Sequence, residues 1–163
     1  MRRRRGFVMV LALLLTVLLL VLGLAYMGTR AVQYRRAGEA EAAAQALALA
    51  DSGLTDALLK LQRDLEYPQM ASDQTAISYT EELTVGGQRI GRYTVTVEGN
   101  YRVPPYSVLR ITSVGEAGTD AEKAFARRAL RIEVDVAPTL RDDPSIANPN
   151  YFHVLNREDL GGF

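Results

Sequence analysis

Residues 7 to 27 form an uninterrupted run of 21 uncharged, mostly apolar side chains, FVMVLALLLTVLLLVLGLAYM. At the helical rise of about 1.5 Å per residue, a run of this length crosses a hydrocarbon core of about 30 Å. A secretory signal peptide has a shorter apolar core, commonly about 7 to 15 residues, followed by small residues at its cleavage site. The segment GLAYMG at residues 23 to 28 matches such a site poorly. The run therefore predicts a membrane span that is not cut off on its far side.

Arginines flank this run on both sides. Residues 2 to 5 are all Arg, and Arg30, Arg35 and Arg36 follow the run. The larger group favours an N-terminus in the cytoplasm, so that the bulk of the chain lies outside. Beyond residue 36 there are 12 Lys or Arg against 19 Asp or Glu, a formal charge of −7. An acidic outer part argues against nucleic acid as its partner.

The composition also argues against several kinds of site. The chain has no Cys and only one His, His153, which excludes a thiolate metal site and argues against a zinc centre. Glu81 and Glu82 are neighbours on a predicted strand and point to opposite faces, so they do not form an acid/base pair. For the acidic pairs at 142–143 and 158–159, a solvated turn and tail are preferred over calcium ligands. We expect no catalytic constellation, no metal, no cofactor and no enzymatic activity.

The helix is predicted to continue well beyond the apolar run. Residues 29 to 66 contain no Pro and are rich in Ala and Leu, so one helix of about 60 residues is expected from Phe7 to Glu66, ending before Pro68. In its second half, apolar residues recur at spacings of three and four, which is typical of an amphipathic helix. This apolar stripe consists of Ala43, Leu47, Ala50, Leu54, Leu58, Leu61 and Leu65.

Four segments after Pro68 have the pattern of antiparallel strands. They are ISYTEELTV at 77–85, RIGRYTVTVEGN at 89–100, YSVLRITSVG at 106–115 and AFARRALRIEVDVAP at 124–138. The second segment alternates Tyr93, Val95 and Val97 with Thr, and the fourth places Leu130, Ile132, Val134 and Val136 on one face and Arg131, Glu133 and Asp135 on the other. A sheet with one apolar face needs a cover, and the helical stripe is the available surface.

The predicted fold class is α+β, with a long N-terminal helix packed on an antiparallel β-sheet of about four strands. The first half of the helix spans a membrane, and its amphipathic second half contacts the sheet through Leu47, Leu54, Leu58, Leu61 and Leu65. The predicted segments are residues 1–6, a basic leader; 7–28, a transmembrane helix; 29–67, its amphipathic continuation; 68–138, the β-sheet head; and 139–163, a tail. For the tail, an edge strand, a docking segment and a mobile end remain open.

Two stretches of the N-terminal third resemble a known family. RRRRG followed by FVMVLALLL resembles the leader and mature start of type IV pilins, and GEAEAAAQALALADSGLTDALLKL, with Asp51-Ser52-Gly53-Leu54, is similar to the Ala-rich helix of PilX-like minor pilins. The resemblance covers about residues 1 to 60 and implies a pilin-like fold. It also implies cleavage between Gly6 and Phe7, and N-methylation of Phe7, by a prepilin peptidase/methylase.

The sequence departs from the major pilins at one position. Most major pilins and pseudopilins carry Glu at the fifth mature residue, where this chain has Leu11. An acid there would be a buried charge that needs a buried partner. Its absence resembles PilX-like pilins and the K-type pseudopilin of type II secretion, and it implies a scarce subunit rather than the repeating one.

The resemblance thus implies a minor pilin that acts in assembly or initiation of a type IV pilus. Its partners would be other pilins or pseudopilins and the assembly platform of the bacterial inner membrane, with a cytoplasmic N-terminus, an extracytoplasmic head and incorporation in the pilus. Two alternatives stay open, a minor pseudopilin of a type II secretion or DNA-uptake system and a single-pass anchored extracytoplasmic binding or scaffold domain.

Overall fold

The computed structural model describes residues 3–64, 66–69, 74–118 and 126–162. Within these ranges the chain forms one helix and five strands. The elements are α1 (Arg3–Arg63), β1 (Ala76–Val85), β2 (Gln88–Glu98), β3 (Val108–Ala117), β4 (Ala126–Asp135) and β5 (Val154–Gly161). The chain divides into two compact units, Met1–Ala40 and Glu41–Phe163, and α1 contributes to both. The predicted α+β fold is confirmed.

Helix α1 differs from its predicted bounds at both ends. It begins at Arg3 rather than Phe7, because arginine favours the helix and no proline precedes the apolar run. It ends at Arg63 rather than Glu66, because the Asp64 carboxylate accepts a hydrogen bond from the Glu66 N–H at 2.9 Å and forms a local turn. The strongest breaker, Pro68, lies a few residues further on.

The five strands form an antiparallel meander in which every strand pairs with its sequence neighbour. The four predicted segments overlap β1 to β4, with ends that differ by at most three residues. Gly86 and Gly87 join β1 to β2 with φ values of 60° and 81°, a conformation that a two-residue hairpin turn of type I′ requires and glycine adopts without strain. The fifth strand lies in the tail that the sequence left open. It pairs with β4 and is exposed along Val154–Gly161 except at the half-buried Gly161.

The core of the Glu41–Phe163 unit lies between α1 and one face of the sheet. Helix residues from Ala46 to Leu61 face the central strands, and the alternating apolar residues of β2, β3 and β4 supply the other side. The main buried cluster comprises Ala50, Leu54, Ala57, Leu61, Tyr93, Val95, Val97, Leu109, Ile111, Leu130, Ile132 and Val134. The predicted apolar faces of the second and fourth segments are therefore the faces that pack on the helix.

Two glycines allow α1 and the sheet to approach closely. A Cβ atom built on Gly115 of β3 would lie 2.1 Å from the carbonyl oxygen of Ala46 and 2.4 Å from the backbone nitrogen of Ala50. A Cβ on Gly53 of α1 would lie 2.3 Å from Ser113 Oγ. At Gly115 the backbones themselves limit the distance, so no side-chain rotation relieves a clash there.

We predict that Gly115→Ala destabilises the fold by about 3 kcal/mol, because helix and sheet must separate to admit one methyl group. The matched control is Gly38→Ala, since a Cβ on Gly38 meets nothing within 4 Å. That helical substitution is expected to be neutral or slightly stabilising. Urea unfolding of the full chain in detergent, followed by circular dichroism, measures both free energies. Equal midpoints for Gly115→Ala and the unsubstituted chain would contradict the close contact.

Candidate functional site

The predicted processing site lies at the beginning of α1. Gly6 and Phe7 are both helical, and the Phe7 side chain is 70% exposed. The first four N–H groups of a helix have no partner within it, so the turn that starts at Arg3 is the easiest part to open. Gly6 weakens the helix further, because glycine costs about 1 kcal/mol relative to alanine in a helix interior. The predicted cleavage position between Gly6 and Phe7 thus lies near the N-terminal end of α1.

The apolar run that follows has no cover within the described residues. Every large apolar side chain from Phe7 to Met27 is more than half exposed, including Leu11 at 58%. The helix is long and apolar enough to cross a membrane, and none of its most apolar window is buried. A core helix of a water-soluble protein would instead be mostly buried. The run is compatible with a single-pass membrane anchor, and Leu11 places no charge on its surface.

The structure distributes the five leucines predicted at the helix–sheet contact over three environments. Leu54 and Leu61 are buried at 3% and 1% exposure, Leu47 and Leu58 are half-buried and pack against the same cluster, and Leu65 lies outside the described residues. The centre of the contact is a row of small residues, of which the predicted stripe included only Ala50. This row is Ala46, Ala50, Gly53 and Ala57. Their spacing of four, three and four residues is that of one helix face, and it could have identified this row from the sequence.

A polar cluster attaches α1 to the first hairpin beside this row. Lys60 Nζ lies 2.7 Å from the Asp56 carboxylate and 2.8 Å from that of Glu81. The hydroxyl of Tyr79 donates to Asp56 at 2.8 Å, and that of Tyr93 donates to Glu81 at 2.9 Å. Burial, followed by these hydrogen bonds, raises the pKa of both tyrosines. Because the phenols stay protonated donors at neutral pH, the cluster fastens the helix and activates no nucleophile.

Glu81 and its neighbour Glu82 have separate partners. Glu81 contacts Lys60 and Tyr93, whereas Glu82 Oε1 lies 3.1 Å from Arg89 Nη2. Each carboxylate is therefore held in an ion pair of its own, and the two do not share a proton.

Asp135 corrects one detail of the predicted strand pattern. The strand pattern predicts that Asp135 lies on the polar face of β4; it does lie opposite the core residue Val134, but it is only 1% exposed. The reason is that the chain after β4 returns across the strand end, where the Phe152 N–H donates to the Asp135 carbonyl at 2.8 Å. The buried carboxylate accepts hydrogen bonds from the Ala137 N–H, the Asn148 amide and the Arg141 guanidinium, each at 3.0 Å in its shortest contact. Alternation alone could not identify a residue that a distant loop covers.

The Arg141 side chain connects this buried carboxylate to the loop between β2 and β3. Its Nη2 donates to the Tyr106 carbonyl at 2.7 Å and to Asp135 at 3.0 Å. Ser107 follows Tyr106 with a positive φ of 48°, an uncommon conformation for a residue other than glycine. Its carbonyl accepts the Val136 N–H at 3.0 Å, so contacts from the neighbouring loop hold this backbone.

The same loop borders a shallow cavity of about 200 Å³ on the polar side of the sheet. Tyr101 and Tyr106 meet edge to face at 5.5 Å, and the Arg110 guanidinium lies 5.2 Å from the Tyr101 ring. Arg110 also donates two hydrogen bonds to Glu133, at 3.0 and 3.1 Å. Since Arg110 and Glu133 satisfy each other, the cavity offers aromatic surface but no free acid or base.

At least one carboxylate in each acidic pair of the loop and tail has a partner within the protein. Asp143 accepts hydrogen bonds from the N–H and hydroxyl of Ser145, at 2.9 and 2.6 Å, which lowers its pKa. Asp159 accepts from Arg128 at 2.9 Å. Within the described part of the chain, no three His, Cys, Asp or Glu side chains converge in a metal-binding arrangement.

Comparisons of the chain with protein-family models, curated proteins and solved structures find no match.

We predict that Asp135→Asn lowers the free energy of unfolding by about 1–3 kcal/mol at pH 7, because Arg141 loses its buried ionised acceptor. Burial alone would raise the pKa of Asp135, but the bonds from Ala137, Asn148 and Arg141 lower it below the ordinary 3.8. The carboxylate therefore stabilises the fold above pH 3.8, and this contribution disappears as the pH falls through the lower folded-state pKa.

The difference between Asp135→Asn and the unsubstituted chain should thus shrink at acidic pH in urea titrations. Asp142→Asn is the control, because Asp142 is an exposed carboxylate in the same loop. If the two chains differ in free energy of unfolding by the same amount at pH 7 and pH 2.5, the Asp135 charge contributes nothing to stability.

Proposed function

We propose that this protein is a PilX-like minor pilin, a structural subunit that acts in assembly or initiation of a type IV pilus. The proposal depends mainly on the uninterrupted helix Arg3–Arg63. In that one helix, a basic segment ending in Gly6-Phe7 is followed by exposed apolar residues and then by a face packed on an antiparallel sheet. A basic segment, an apolar run long enough to cross a membrane and a helix-on-sheet head thus follow one another in the order expected of a pilin.

The exposed apolar surface supports movement from lipid into a helix bundle. Helices that are apolar on every side exchange lipid contacts for helix contacts at little hydrophobic cost. Cleavage after Gly6 would remove the four Arg at residues 2 to 5, the charges that most resist transfer of the N-terminus through the bilayer. On this proposal the leader retains the precursor in the membrane, and its removal makes extraction into a filament possible.

Leu11 supports a minor rather than a major role. A repeating subunit with an acid at this position would pair it with the amino terminus of a neighbour, whereas the exposed Leu11 offers only apolar contact. The subunit would join a bundle without that electrostatic bond, so it suits a scarce position at which a filament is started.

The proposed partners follow from the two ends of the chain. A prepilin peptidase/methylase acts at Gly6-Phe7, other pilin helices and the assembly platform contact the span, and the head lies on the extracytoplasmic side of a bacterial inner membrane. No nucleic acid contact, cofactor or catalytic activity is proposed for this subunit.

The experiment is an intact-mass and N-terminal peptide analysis of the protein extracted from membranes of its native host. We predict a mature chain that begins with N-methylated Phe7. Gly6→Val should leave the unprocessed precursor, because the branched side chain fills the position next to the scissile bond. Gly23→Ala, a small change within the same apolar run, should be processed normally.

A chain that keeps residues 2 to 5 in cells whose other pilins are processed would overturn the proposal in favour of a single-pass anchored binding or scaffold domain. If processing occurs, cross-linking through a photoreactive residue at position 11 identifies the neighbouring helices. Pseudopilins of a type II secretion or DNA-uptake system, found in place of pilus subunits, would reassign the chain to that system.

A further inference from the structure

A group of cationic and aromatic side chains follows directly after the apolar run. We call it the collar; it consists of Tyr26, Arg30, Tyr34, Arg35 and Arg36. All five side chains are exposed, with Tyr26 at 59% and Tyr34 at 78%. Tyr26, Arg30 and Tyr34 are four residues apart and lie on successive turns of one side of α1. Arg35 and Arg36 follow Tyr34 in steps of about 100° around the axis, because a helix has 3.6 residues per turn, so they lie on its other sides. Together the five side chains surround the helix where the apolar run ends.

The collar carries positive charge that no carboxylate neutralises. The sequence has no acidic residue before Glu39, and among the described residues none of the ion pairs involves Arg30, Arg35 or Arg36. Glu39 is spaced to meet Arg35 one turn away, yet the two form no ion pair. Three charges within seven residues thus face outward without an acidic partner among the described residues, and Arg30 contacts only the neutral Tyr26 and Gln33 side chains.

The hydrogen bonds at Arg30 define the chemistry of the missing partner. Arg30 Nε donates to the Tyr26 hydroxyl oxygen at 2.8 Å, and the guanidinium carbon lies 5.0 Å from the Tyr26 ring centre. Because the phenol oxygen is the acceptor in this bond, its own proton remains available. Arginine has no acceptor, so the Tyr26–Arg30 pair presents hydrogen-bond donors on a positively charged surface. The matching ligand is an anion rich in acceptor oxygens.

We infer that the collar binds the phosphate groups of anionic phospholipids at the membrane surface where the span ends. Aromatic and arginine side chains at this depth combine an apolar body with a polar end, as the interface requires. Arginine next to a span normally lies on the cytoplasmic side, so the collar arginines are unfavourable on the extracytoplasmic side of the proposed span. Contact with lipid phosphate offsets that unfavourable free energy. The inference rests on the proposed span at residues 7–28 and deepens the proposed function by naming a lipid partner, but it does not depend on leader cleavage.

Binding of the collar to lipid phosphate also affects how the subunit leaves the membrane. Once residues 1 to 6 are removed, the arginines closest to the span are those of the collar. Binding to lipid phosphate then holds the subunit at the extracytoplasmic surface, from which its head already projects on the proposed topology. Leaving the membrane requires the collar to exchange lipid phosphates for other acceptors.

The test uses fluorescence, because the chain contains no tryptophan. Tyr34→Trp introduces one fluorophore into the collar and keeps an aromatic side chain that suits the interface. The full chain is reconstituted in bilayers of phosphatidylcholine with one fifth phosphatidylglycerol, in which either the phosphatidylglycerol or an equal amount of phosphatidylcholine is brominated. Excess quenching by brominated phosphatidylglycerol reports its enrichment at the collar, which we expect to be roughly two- to fivefold.

In the Tyr34→Trp chain, substitution of the three collar arginines by Gln should remove the excess quenching by brominated phosphatidylglycerol. Substitution by Lys should largely retain that excess. Arg63→Gln is the matched control, because it removes an exposed arginine from the other end of α1. Replacing chloride by inorganic phosphate at equal ionic strength should leave the preference in place; its loss would identify a free-phosphate site instead. Folding of each variant is checked by its circular dichroism and urea midpoint.

Equal quenching by the two brominated lipids in the arginine-containing chain would overturn the inference. So would an excess that survives in the Gln variant, since it would not come from the collar. The N-terminal mass of the native-host protein is measured separately. A missing lipid preference in a processed chain therefore counts against the collar alone, and an unprocessed chain that prefers phosphatidylglycerol counts against the pilin proposal alone.

Discussion

The close contact between α1 and the sheet, made where the Ala46 carbonyl faces Gly115, determines how the rest of the head packs. A helix and a sheet separated only by backbone atoms leave little room for large side chains at the centre of the contact. Small residues therefore occupy the middle of the buried helix face, and Leu54 and Leu61 insert beside and beyond them. Because interiors are packed without voids, this distance also fixes which side chains of β2 to β4 complete the core.

The same helix meets two different environments along its length. No described residue covers the run from Phe7 to Met27, whereas the row from Ala46 to Ala57 is buried against strands. Apolar surface exposed on all sides is stable only in lipid or among other helices. A continuous helix with an exposed apolar half and a buried half suits a subunit whose head stays folded while its apolar half moves from lipid into a helix bundle. This is the physical basis of the pilin proposal.

The far end of the sheet is organised by a buried charge rather than by apolar packing. Asp135 joins β4 to the loop after it through Asn148 and Arg141, and Arg141 extends the contact to the Tyr106 carbonyl. A buried carboxylate is costly unless its hydrogen bonds are satisfied, so these partners must be present together. These hydrogen bonds hold the loop after β4 against the loop between β2 and β3, which carries the exposed Tyr101 and Tyr106.

Local patterns in the sequence were sufficient to predict the long helix, its change from wholly apolar to amphipathic, and the four strands with period-two alternation. They did not identify β5, because the residues VLNREDLG are exposed on both faces and carry no alternation. They also favoured the leucine stripe over Ala46, Gly53 and Gly115, and gave no sign that a distant loop buries Asp135 on the polar face of the sheet. The physical reason is the same in each case: periodicity reports which residues share a face of one element. Pairing with a neighbouring strand, the distance of backbone approach and the cover over a strand end depend on residues far away in the chain, so only the tertiary structure decided them.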